Sequence, residues 1–311
     1  MTTTPAPSAA PVRATLVGGP TVLLEHAGRR VLLDPTFDEP RSYEGAVVLT
    51  RTAPPAVPAD AVLPVDLVLV SHDQHADNLD VSGRALVARV LADGVPVLST
   101  PTAAGRVPGV TGLEPWASVE LDGDPALTVT AVPALHGPEG ADAPTLSGPV
   151  TGFVLESPGA PTVYVSGDNA SVELVGEIAA RFPRIAVAVL NVGAADVGRF
   201  PGHTVTLRGT DAAEAARLLG DALVLPVHAD SWAHFTESVD AVRAAFSDSG
   251  LTDRLVVLEP GTPTEVAPAA REQRFGRLAT EIASTPPGVA RAAATEDAAW
   301  EGVVGDGLST R

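Results

Sequence analysis

Four short apolar runs in this chain each stop on a histidine or an aspartate, and that arrangement limits the fold more than any other feature. Asp66-Leu-Val-Leu-Val-Ser71 leads into His72-Asp73-Gln74-His75-Ala76-Asp77-Asn78, and the run through Val132 ends at His136-Gly137-Pro138. Val163-Tyr164-Val165 ends at Ser166-Gly167-Asp168-Asn169, and Leu223-Val224-Leu225-Pro226-Val227 ends at His228. Such runs read as buried strands. Imidazoles and carboxylates where buried strands end are costly unless they are paired or coordinated. A fold that sets these strand ends side by side gathers imidazoles and aspartates around one point, and those ligand types suit zinc, manganese or iron. A carboxylate such as Asp168 could then bridge two cations.

The rest of the chain supplies a matching scaffold. Arg13–Val17, Val22–His26 and Arg30–Leu33 read as an opening strand meander, followed by strands at Ala46–Thr50, Leu67–Val70, Val95–Leu98, Ser118–Leu121, Leu127–Pro133, Thr151–Glu156, Thr162–Val165 and Ile185–Asn191. Helical spacing falls on Arg84–Ala92, Val172–Phe182, Asp211–Leu219 and Glu237–Phe246, with Asp211 as an N-cap and Glu214 completing a capping box. Strands at Leu223–Val227 and Leu255–Leu258 close the pattern. Strands first, then alternation with helices, fit an α/β (α+β) fold of mixed sheets covered by helices. The expected organisation is a polar N-terminal tail over 1–11, one domain over 12–267, and a C-terminal extension over 268–311 with a helix near Arg271–Ile282.

Composition narrows the partners. With a formal charge of −18 and no lysine, the 311-residue chain repels phosphate backbones and anionic membrane surfaces, leaving room only for a local basic pocket. Cysteine is absent, so any metal is held by His, Asp, Glu or Asn, and thiolate chemistry is excluded. Residues 1–11 lack a signal-peptide pattern, and no apolar run approaches the ~18 residues of a membrane span. The expectation is a soluble cytoplasmic protein acting on a small molecule, without nucleic acid or membrane, and with a homo-oligomer left open.

Taken singly, each polar residue has an ordinary reading. His72 could cap exposed backbone, Asp77 and Asn78 could form a turn, and Asp168 could cap the helix near Val172. His136 could belong to a loop. Together, in this order, they point to a site.

In that order the motifs resemble the metallo-β-lactamase superfamily, and within it the branch of L-ascorbate-6-phosphate lactonase. The resemblance runs from about Ala14 to Val266 and rests on Val22–Pro35, Ser71–Asp80, Pro133–Pro138, Ser166–Asn169 and Thr206–His228. It implies a four-layer αββα sandwich with two mixed sheets and metals in a cleft at one edge. By position it implies His75 and His136 on a first metal, Asp77 and His228 on a second, Asp168 between them, and Asp34 as support. The family motif His-x-His-x-Asp-His is altered here: anchored on His75 and Asp77, Asp73 stands where the first His belongs and Asn78 where the last belongs. A one-residue bulge would instead make His72 the first ligand. Both alignments stay open, as does Asn78 as a weaker neutral ligand.

The expected activity is hydrolysis of a small ester, lactone or phosphoester with one or two divalent cations, zinc or manganese, activating a water as hydroxide. Asp77 and Asp168 are the catalytic candidates beside the metals. His203, His234 and Trp232 are candidates for binding substrate, while His26 reads as structural. Two alternatives stand beside this reading: a degenerate member that binds a ligand without catalysis, motivated by Asp73 and Asn78, and a phosphodiesterase of N-acylated phospholipids.

Overall fold

The computed structural model describes residues 11–140 and 142–267; the tail and the C-terminal extension expected above lie outside them, apart from Pro11. Among the described residues there are fifteen strands: β1 (Val12–Gly18), β2 (Thr21–His26), β3 (Arg29–Leu33), β4 (Arg41–Tyr43), β5 (Leu49–Arg51), β6 (Leu67–Leu69), β7 (Val97–Ser99), β8 (Thr111–Gly112), β9 (Ser118–Leu121), β10 (Leu127–Ala134), β11 (Val150–Glu156), β12 (Thr162–Val165), β13 (Ile185–Asn191), β14 (Leu223–Val227) and β15 (Thr264–Val266). The α-helices are α1 (Val81–Ala92), α2 (Pro101–Ala104), α3 (Ala143–Leu146), α4 (Val172–Arg181), α5 (Gly209–Leu218) and α6 (Val239–Asp248).

One sheet runs β15-β1-β2-β3-β6-β7-β8 and the other β14-β13-β12-β11-β10-β9, with β4 and β5 forming a separate hairpin. Each main sheet is mixed: β1 to β3 are antiparallel and β3, β6, β7 and β8 parallel, while β9 to β12 are antiparallel and β12 to β14 parallel. Alternation along the strands divides the apolar residues by face. Leu24, Leu33 and Leu69 of the first sheet meet Val129, Val163 and Leu225 of the second in the layer between the sheets. On the outer face of the first sheet Val68 packs in one cluster with Leu86 and Val90 of α1, and on the other sheet Tyr164 packs with Ile178 of α4, Ala212 of α5 and Phe246 of α6. The result is the αββα order of layers.

Several local expectations change. Helix α1 starts at Val81 rather than Arg84, because Asp80 caps it by accepting the Gly83 N–H at 2.7 Å. Gly83 is required there, since a Cβ would collide with the Pro35 carbonyl. Helix α5 starts two residues before Asp211, whose carboxylate accepts the Arg208 N–H at 3.1 Å from inside the first turn. Ala46–Thr50 is not one strand but the turn and second arm of the β4–β5 hairpin. Leu255–Leu258 makes only a bridge to Val224; the chain then turns through Glu259-Pro260-Gly261, and β15 closes the sheet against β1.

His26 ends β2 buried, with neither ring nitrogen hydrogen-bonded, and burial lowers its pKa to about 4. Below the ordinary histidine value of 6.5 the unfolded chain takes up a proton that the folded chain refuses, so stability falls as pH drops from about 6.5 to about 4. The loss across that window is about 3 kcal/mol. Urea unfolding of the wild type and His26→Phe at pH 7 and pH 5 should show the shallower acid-side loss in the variant. Parallel losses would rule out this assignment of the proton.

Candidate metal centre

The four strand ends do converge. The segment after β6 carries His72, His75 and Asp77; the turn after β10 carries His136; β12 ends before Asp168; and β14 ends before His228. Asp34 follows β3 in the left-handed region (φ 38°), and His228 has the same strained handedness (φ 60°). Gly193 permits that arrangement, because a Cβ on it would strike the His228 carbonyl. Helix α4 is capped by Ser171, whose hydroxyl accepts the Leu174 N–H at 3.2 Å, so Asp168 is free of the capping role.

Two clusters of donor atoms result, His72-His75-His136 and Asp77-His228-His234. In the first, His75 Nδ1 lies 3.0 Å from His72 Nε2 and 3.2 Å from His136 Nε2. In the second, Asp77 Oδ2 lies 3.3 Å from His228 Nε2 and 3.0 Å from His234 Nε2. Asp168 stands between them: Oδ2 is 3.9 Å from His72 Nε2 and 3.8 Å from His136 Nε2, and Oδ1 is 3.5 Å from His228 Nε2.

The donor chemistry fits a divalent cation in each cluster. The Val205 carbonyl, 2.8 Å from His136 Nδ1, can only accept, so Nδ1 carries the proton and the Nε2 lone pair faces the cluster. Three imidazole nitrogens this close cannot satisfy one another, because a single proton serves only one N···N contact. Tetrahedral ligation at about 2.05 Å would hold nitrogens roughly 3.3 Å apart, close to the separations found. Burial, reinforced by neighbouring imidazoles, lowers the pKa of His72 and His136 and brings His75 to about 4, so these rings are neutral, which is the ligating form. Burial opposes the charge on Asp168, but the facing imidazoles, His228 foremost, outweigh it and hold its carboxyl below the usual range. Its Oδ2 is buried without a hydrogen bond. Such a carboxylate calls for a cation.

Around the clusters stand the supporting groups. Asn191 Nδ2 donates to Asp168 Oδ1 at 2.7 Å, and the Ser71 N–H donates to Asp34 Oδ1 at 2.6 Å. Burial raises Asp34 to about 7. Asn191 was not singled out from sequence, although it ends β13 as the other site residues end their strands.

Four sequence expectations differ from this geometry. Asp73 faces away from the clusters: it forms a two-pronged ion pair with Arg106, through Oδ2 at 2.9 Å from Nε and through Oδ1, and its Oδ2 is 3.8 Å from Arg84. His72, not Asp73, joins His75 and His136 in one cluster of donor atoms. Asn78 turns its carboxamide nitrogen, not its oxygen, to Asp34, Ser71 and Asp168, each at 3.4 Å. His203 is exposed and lines no part of the cleft. Trp232 is buried behind His234, with ring centroids 6.3 Å apart, and does not line the cleft either. His234 does line the cleft, and its Nε2 also lies 3.0 Å from Asp77 Oδ2.

The clusters open into a cleft of about 560 Å³. His75, His136, Asp77 and His234 form its floor, and Leu49, Val81 and Leu146 are among the apolar residues of its walls. Among the described residues no helix is long and apolar enough to cross a membrane.

Known proteins agree with this architecture. A "UPF0173 metal-dependent hydrolase" of Methanosphaerula palustris is 28% identical over 80% of this chain and 97% of its own length. Among solved structures, isothiocyanate hydrolase from Delia radicum gut bacteria superposes with a TM-score of 0.69 at 21% identity, covering 82% of this chain and 99% of that one. A possible metal-dependent hydrolase from Veillonella parvula also superposes at 0.69, with 20% identity over 83% of this chain and 100% of its own. Residues 29–229, more than half of the chain, match the Beta-lactamase superfamily domain, and the protein belongs to that family.

Proposed function

We propose that this member of the family is a metal-dependent hydrolase of a small ester, lactone or phosphoester. The observation that carries the reading is the Asp168 carboxylate, buried between two clusters of donor atoms with its Oδ2 free of any hydrogen bond. We assign His72, His75 and His136 to one cation, Asp77, His228 and His234 to the other, and Asp168 to both, with zinc or manganese as the metal. Bound there, the cations supply Lewis acidity and bring the pKa of water toward neutrality. The protein's part is to fix the donors and to orient the reacting groups. Asp77, held between His228 and His234, is placed to orient the water. Asp34 and Asn191 hold the groups around it, and the apolar walls exclude solvent from the bound substrate.

The reading agrees with the metal-dependent hydrolases among the relatives. The L-ascorbate-6-phosphate lactonase-like branch is the finer assignment we favour, on the strength of Thr206–His228, and a cytoplasmic location goes with it. The non-catalytic alternative rested on Asp73 and Asn78; on our assignment His72 and His234 take their places in the two donor sets, which removes its motivation. The protein as purified should contain divalent metal by elemental analysis and should hydrolyse at least one of a panel of 4-nitrophenyl esters, lactones and phosphodiesters. Dialysis against a chelator should abolish that turnover, and zinc or manganese should restore it. Hydrolysis indifferent to metal removal would refute the assignment.

A further inference from the structure

We propose that Arg199 is the counter-ion for a substrate oxyanion, a carboxylate or phosphate carried away from the scissile bond. This deepens the hydrolase reading and rests on it for the place of the scissile bond. Arg199 lies on the loop between β13 and α5 and lines the same cleft as His75 and His136. The other basic residues that line this cleft, Arg84 and Arg106, are already engaged, and Glu44 is a further acidic wall. Asp73 holds Arg106 in a fork and Arg84 beside it, and Asp80 is 3.6 Å from the buried Arg51. Asp196, on the same loop as Arg199, accepts the Gly198 N–H at 2.8 Å. Among the described residues Arg199 makes no ion pair and no hydrogen bond, although acidic residues outnumber basic ones by 38 to 20 in this chain.

Its position is fixed by its neighbours. Phe200, the next residue, is buried; Val205 N–H donates to the Ala195 carbonyl at 2.8 Å, and the Val205 carbonyl in turn holds His136. Arg199 is therefore set on an anchored loop tied to His136, and it lines the cleft together with His75. An unpaired guanidinium is a local positive charge within an acidic molecule, and its planar fork matches an oxyanion. Leu49, Val81 and Leu146 in the same cleft offer apolar contact to the remainder of the ligand. The substrate class that follows is a small amphiphilic organic anion whose charge is separate from the bond that breaks.

The test compares the metal-loaded wild type, Arg199→Gln and Arg199→Lys on three esters with one leaving group: 4-nitrophenyl butyrate, mono-4-nitrophenyl glutarate and 4-nitrophenyl 4-phosphonobutyrate. In the wild type kcat/KM should favour an anionic ester over the butyrate, and the preference should fall about tenfold or more in Arg199→Gln. Arg199→Lys should keep most of it. Loss confined to the glutarate ester identifies a carboxylate, and loss confined to the phosphonate ester identifies a phosphate. Equal preference in wild type and Arg199→Gln overturns the proposal. Calorimetric titration with glutarate separates this result from failure of the hydrolase reading. If no ester turns over but glutarate binds the wild type about tenfold more tightly than Arg199→Gln, the anion site stands and the hydrolase reading falls. Equal binding, or none, overturns the anion site.

Discussion

Replacing Asp168 with alanine is expected to strip metal and activity together. The side chain is buried, and its two oxygens face different donor sets, Oδ2 toward His72 and His136 and Oδ1 toward His228. No other described carboxylate lies within ion-pairing distance of imidazoles in both clusters. Its loss removes the one negative charge that both cations would share and leaves Asn191 Nδ2 without its acceptor. Groups merely behind a metal ligand typically change affinity by about 10- to 100-fold, so a residue placed between both cations should exceed a hundredfold. Elemental analysis after gel filtration should show substoichiometric metal, with turnover reduced in step. Asp168→Asn preserves shape without charge and should fall between the wild type and Asp168→Ala. An Asp168→Ala protein with full metal content and full turnover would show that the centre lies elsewhere.

Strand ends were legible in the sequence because burial and coordination both leave local marks. A run such as Leu67–Leu69 can lead into His72, His75 and Asp77 only where those groups find partners, so a gathering of donor groups there was to be expected from the chain itself. The rotation of individual side chains did not. Whether His72 or Asp73 turns inward depends on Arg106, more than thirty residues away, whose fork captures the Asp73 carboxylate. Asn191 escaped notice because a lone asparagine at the end of β13 carries no motif. Arg199 escaped because its importance comes from the absence of an acidic neighbour, which is a property of space rather than of sequence. The misread strand at Leu255–Leu258 has a similar cause: its apolar residues pack against the sheets without joining a ladder, while the short β15, with only Val266 buried, gave little apolar pattern. The β4–β5 hairpin was missed in part because Arg41–Tyr43 is polar and mostly exposed.

The second cluster yields the sharpest contrast between motif and geometry. By position in the motif Asn78 should complete it; by geometry His234 does, reaching from the loop after β14 to within 3.0 Å of Asp77 Oδ2. Phe235 packs against His234 with ring centroids 4.6 Å apart, which helps to fix the imidazole. Asn78 instead donates into the ring of oxygens formed by Asp34, Ser71 and Asp168, the role of a spacer between buried acceptors. The two substitutions should therefore separate. His234→Ala should lower bound metal from about two equivalents to about one and reduce turnover at least tenfold, since the remaining Asp77 and His228 leave that cation under-coordinated. Asn78→Ala should keep its metal and instead lose about 1–3 kcal/mol of stability, the cost of leaving buried acceptors without their donor. Metal content and urea unfolding measured on both variants decide the matter. Metal lost from Asn78→Ala but retained in His234→Ala would return the ligand to the position given by the motif.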